Sequence, residues 1–155
     1  MKFAKTCAFI ALLTLGCLPV FAQTNMPPIN EPDYNKPKIF ADLPERLTLR
    51  LPELEALLSL PVGAQVNATV ATGFLLAGTV VSKSAQANAS SQSIIIKSSS
   101  RGGAVFTFTR RQATGGTFSY IGRMLGKGAS DALEIVKENA TYVLRKKSYY
   151  DLMNE

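Results

Sequence analysis

Val66-Asn67-Ala68-Thr69-Val70, then Gly73, then Phe74-Leu75-Leu76-Ala77-Gly78-Thr79-Val80-Val81, is the stretch on which the fold turns. In its first part every second residue is apolar, the period of a strand with one buried face. Its second part is an almost unbroken apolar run of strand length, which suits a central strand covered on both sides. Gly73 between them is the punctuation of a turn. The pair predicts a β-hairpin inside a sheet.

The same grammar continues toward the C-terminus. Ser82 to Ser93 is rich in Ser, Ala, Asn and Gln and reads as a long loop. Ile94-Ile95-Ile96 and then Phe106 and Phe108, alternating with Thr107 and Thr109, read as strands on either side of the Ser98–Gly103 turn. Gly115-Gly116 marks the next turn, Phe118 to Leu125 the next strand, and Gly126-Lys127-Gly128 its end. Leu133 to Lys137 and Thr141 to Lys146 form a closing hairpin around Glu138-Asn139-Ala140.

Toward the N-terminus, Leu47, Leu49 and Leu51 alternate with Thr48 and Arg50 as a further strand. Pro52 suits the first position of a helix, where its missing N–H costs nothing. Glu53 and Glu55 complement the positive first turn. Leu54, Leu57 and Leu58 make one apolar stripe, and Pro61 and Gly63 stop the helix. The expected fold is all-β and mainly antiparallel, a small sandwich or barrel of about eight strands with one short helix.

Upstream of this domain, set at residues 45–155, the chain changes character. Residues 23–44 hold five of the eight prolines and only isolated apolar side chains, so they read as a disordered leader, within which Ile39-Phe40 is a candidate to dock on the domain as a first edge contact. Residues 1–22 read as a Sec-type signal peptide, with Lys2 and Lys5 before the apolar run Phe9 to Leu15. Val20-Phe21-Ala22 places the cut between Ala22 and Gln23. The apolar run is shorter than the roughly 20 residues of a spanning helix. The expected location is secreted or periplasmic with no transmembrane span in the mature chain. A lipid anchor on Cys17 is the alternative address. Oligomeric state is not readable.

Removing residues 1–22 takes away both cysteines, Cys7 and Cys17, leaving no Cys and no His. That excludes disulfides, His-based catalytic triads and His-ligated zinc or copper. No Ser-x-x-Lys spacing occurs. What survives is a carboxylate pair, for which Asp42 and Asp131 are examples from the two acidic ends of the chain. The reading is therefore a protein without catalytic activity and without cofactor or metal.

From Ala56 to Ser130 there is no acidic residue, while Lys83, Lys97, Arg101, Arg110, Arg111, Arg123 and Lys127 all fall inside that stretch. One-signed charge concentrates polyanions, so Lys97, Arg101, Arg110, Arg111, Arg123 and Lys127 are candidate contacts for lipopolysaccharide, cell-wall polymer or nucleic acid. Alternation sends Arg110 and Arg111 to opposite faces. Phe106, Phe108, Phe118 and Tyr120, at period two, read as core before they read as a stacking platform.

From Phe74 to Lys147 the order of motifs resembles the β-rich propeptide modules of secreted zinc metalloproteases. The resemblance lies in Gly78-Thr79-Val80, Ile94-Ile95-Ile96, Gly103-Ala104-Val105-Phe106, Tyr120-Ile121-Gly122-Arg123, Ala132-Leu133-Glu134-Ile135 and Tyr142-Val143-Leu144. It implies a stand-alone inhibitor or folding helper, here without a protease domain. The expected function is an exported binding module for a protein partner, a protease among the candidates. Polyanion binding through the basic sheet is the alternative.

Overall fold

The computed structural model describes residues 35–85 and 90–153. The expected signal peptide, its expected Ala22/Gln23 cut, Cys17 and most of the expected proline-rich leader lie outside the described residues. Eight strands form one curled antiparallel sheet, a half-barrel, in the order β1-β8-β7-β6-β5-β4-β3-β2. They are β1 (Arg46–Thr48), β2 (Gln65–Ala71), β3 (Phe74–Ala85), β4 (Ser91–Ser98), β5 (Val105–Gln112), β6 (Phe118–Leu125), β7 (Asp131–Glu138) and β8 (Thr141–Ser148). The expected all-β, mainly antiparallel class is the one formed, as one curled sheet and not a two-sheet sandwich.

Apart from β1, each strand neighbours the next in sequence, a meander of hairpins. The segment that begins with β1 lies between the two edges of the sheet and bonds to both. On the β8 side Leu47 pairs with Leu144, and the Leu49 N–H donates to the Tyr142 carbonyl. On the β2 side the Arg50 N–H donates to Val70, and the Thr72 N–H donates to Thr48.

Helix α1 (Leu51–Leu57) follows, with Pro at its start and Leu54 and Leu57 buried. A second helix, α2 (Tyr149–Met153), follows β8. The alternating inward residues of the strands build the core: Val66 and Val70, Leu76 and Val80, Ile94 and Ile96, Phe106 and Phe108, Met124, Leu133 and Leu144. Phe106, Phe108 and Tyr120 stack in series with centroids 6.5 and 5.9 Å apart.

Besides Leu51, read as strand but the first residue of α1, two boundaries differ from those expected. More than half of the stretch Ser82–Ser93, read as loop, is strand, with Ser82 paired to Ile95, Lys83 to Ile94 and Ala85 to Gln92. Small polar residues are weak strand formers, but cross-strand pairing decides, and here β4 is itself held by β5, where the Ser93 and Thr109 hydroxyls lie 2.8 Å apart. The second difference is that the packed unit begins before residue 45. Phe40 is fully buried and Leu43 nearly so. Asp131 at the head of β7 holds them there: its two carboxylate oxygens accept the N–H groups of Ile39 at 2.8 Å and Phe40 at 2.9 Å. The Ser130 N–H adds a bond to the Pro37 carbonyl, and Lys146 donates to that of Leu43. Sparse apolar residues suffice because buried hydrogen bonds fix the backbone that carries them.

Candidate binding surfaces

The six basic candidates do not converge. Arg101 sits in the turn after β4, where the buried Ser98 hydroxyl accepts the N–H groups of Ser100 and Arg101. Its guanidinium grips Asp42 in a two-pronged pair at 2.6 and 2.9 Å, donates to the Ile39 carbonyl, and lies over the Phe74 ring. The hydrogen bond from Arg101 holds the exposed Asp42 carboxyl below its usual range. Arg101 is therefore a clamp on residues 39–42.

Arg110 points into the curl of the sheet. It donates to Gln92 Oε1 at 2.7 Å, lies 3.8 Å from Glu55 of α1, and covers the Phe118 ring at 4.6 Å. Arg111, its neighbour, is on the outer face and exposed, as alternation requires. Arg123 donates twice to Glu134 Oε1, at 3.0 and 2.9 Å. Glu134 also faces Lys147, and Glu138 holds Arg145 and Arg46, so the outer face of β1, β8, β7 and β6 is a mixed-charge lattice.

No acidic side chain among the described residues pairs with Lys97, Arg111 or Lys127. Lys97 and Lys127 lie at the end of the sheet carrying the β4–β5 and β6–β7 turns, whereas Arg111 lies at the other. The acid-free stretch thus finds its counter-charges outside itself, in Asp42, Glu55 and Glu134.

The two candidate carboxylates are likewise occupied, Asp131 by two backbone N–H groups and Asp42 by Arg101. Among the described residues no three Cys, Asp or Glu side chains gather as a metal-ligand set, and no helix is long and apolar enough to cross a membrane.

The Tyr120 hydroxyl donates to Glu55 Oε1 at 2.5 Å, tying β6 to α1. Burial first, and then Glu55, push the phenol up to about 12. Between pH 10 and 12 the unfolded chain has lost this proton and the folded one keeps it, so unfolding releases it. The stabilisation is complete below pH 10 and disappears as pH rises through 12. Tyr120→Phe is expected to make stability fall less steeply across that window, read by urea titration.

Two surface features were not foreseen. Leu75, Val81, Val105 and Ile121 are exposed on β3, β5 and β6, at 52, 47, 39 and 48%. Phe118, expected in the core, is 41% exposed. It opens β6 at the rim, where Arg110 lies over its ring and leaves the rest of it open. The other feature is a split between β6 and β7, whose ladder holds only three pairs. One signal for it stood in the sequence: Gly122 interrupts a strand pattern, a mark of close backbone approach. A Cβ there would meet the Thr107 carbonyl at 2.6 Å and Ile135 Cδ1 at 2.7 Å. With this geometry in hand, no family model, curated protein or solved structure matches the chain.

Proposed function

We propose that this is an exported, non-catalytic binding module whose ligand is a protein. The observation that carries the reading is the division of labour on the sheet. Arg101, Arg110 and Arg123 are engaged with the protein's own acids, while aliphatic side chains on β3, β5 and β6 face solvent. Ligand affinity then comes from apolar contact and shape, which salt does not screen. The secreted metalloproteases suggested by the motif resemblance are the first partners to assay for inhibition.

Polyanion binding is the second reading, favoured by Lys97 and Lys127, exposed at one end of the sheet. Affinity capture on an extracellular or periplasmic extract, washed at low and then high salt, separates the two. A defined protein retained at high salt is the expected result. Anionic polymer released as salt rises, and lost from a Lys97→Ala/Lys127→Ala bait, would establish the second reading instead. A column empty at both salts would defeat both.

A further inference from the structure

We propose that the split between β6 and β7 is a strand-addition site, at which Phe118–Ile121 of β6 accepts an extended, acidic segment of the partner protein. The inference rests on the protein-binding reading and names where and what the module binds. Both strands are fully formed where they fail to meet. β6 pairs with β5 from Gln112↔Phe118 through Val105↔Leu125, and β7 pairs with β8 from Asp131↔Ser148 through Glu138↔Thr141. Between β6 and β7 the ladder is confined to Arg123↔Glu134, Met124↔Leu133 and Leu125↔Ala132.

The direction of the backbone that β7 leaves out of its ladder follows from alternation. The Gln112 N–H donates to Ser90, on the β4 side. In an antiparallel ladder successive residues turn their N–H and C=O to opposite neighbours. The odd residues of β5 therefore bond to β6, through the pairs Arg111↔Ser119 and Thr109↔Ile121. Phe118 and Tyr120 must then turn theirs toward the split. The Tyr120 N–H confirms this direction by reaching, at 3.4 Å, the hydroxyl of Tyr142 on β8. On the concave side the Tyr120 and Tyr142 rings meet edge-on, 5.1 Å apart, so the split is filled from within. Phe118, Ile121 and Lys137 are exposed around it.

Unprotected strand edges pair with other chains, which is why natural edges carry charge, proline or bulges. Phe118-Ser119-Tyr120-Ile121 carries none of these. The occupant's charge follows from the surroundings. Arg111 lies opposite Ser119, and Lys137 flanks the split from β7. Glu138, the nearest acid on β7, is held by Arg145 and Arg46. A second copy of this chain would bring like charges together. An acidic strand would not.

The test is fluorescence anisotropy of a synthetic peptide of alternating Val and Glu, titrated against the full chain. Saturable binding is expected, weakened about tenfold or more when alternate amides of the peptide are N-methylated or when Lys replaces Glu. Phe118→Pro removes one N–H at the first residue of a strand, where proline is tolerated, and should abolish binding. Phe118→Ala, which keeps the N–H, should retain it. Equal binding of the N-methylated peptide, or no binding up to about 1 mM, overturns the proposal. If Phe118→Pro still captures a salt-resistant partner from extract, strand addition fails while the protein-binding reading stands.

Discussion

Phe40→Ala is expected to lower stability by about 3–5 kcal/mol, the cost of truncating a fully buried aromatic side chain. For a domain of this size that is a fall in Tm of roughly 10–20 °C. The prediction is sharp because residues 23–44 read, by composition, as a tether, and substitutions in a tether change stability by no more than about 0.5 kcal/mol. Phe40 has no exposed surface, and its backbone is pinned to Asp131 at 2.9 Å. Thermal unfolding of Phe40→Ala beside Lys38→Ala, an exposed position in the same segment, decides between anchor and tether. Equal melting temperatures would mean that residues 36–43 are not integral to the core.

The second large effect is at Gly78, in the middle of β3. A Cβ there would lie against the Lys97 carbonyl and within 3.0 Å of Ser98 Cα. Both obstacles are backbone of the paired strand, so no side chain can swing away to make room. β3 and β4 would have to part where the Ser98 hydroxyl and the Ser99 N–H both bond to the Ala77 carbonyl. Gly78→Ala is expected to cost about 3 kcal/mol, the upper range for overpacking. Amide exchange should rise first in β3 and β4 and least in the β7–β8 hairpin. Uniform protection at wild-type levels would show that the ladder can absorb a methyl group.

The parts of the fold legible in the sequence were those set by local chemistry. Alternation at Val66–Val70 and Phe106–Thr109 gave strands, Pro52 gave the start of α1, and the Glu138-Asn139-Ala140 turn, of which Glu138 proves to be strand, gave the last hairpin. Asn139 even adopts the left-handed conformation that such turns need. What escaped was set by partners far away in the chain. Asp131 is 91 residues from Phe40, and Arg101 is 59 from Asp42. No window contains both members of either pair, so the first looked like a spare carboxylate and the second like a free cation. The β6–β7 split escaped for the same reason, since it depends on register between strands whose own patterns are unremarkable.

The seam at residues 46–50 has a consequence for how the protein is made. Hairpins β2 through β8 can add one after another as a nascent chain lengthens, each joining a neighbour already present. The β1 segment cannot, because Arg46–Thr48 pairs with Val143–Arg145, on the last of the described strands to emerge. Non-local closure of this kind is slow, because a long loop must be ordered before it is rewarded. Delivered from its N-terminus, as synthesis requires, the polypeptide holds β1 in waiting until β8 has appeared. A chain stalled before residue 143 would carry an unclosed sheet, a ready substrate for holdases and proteases.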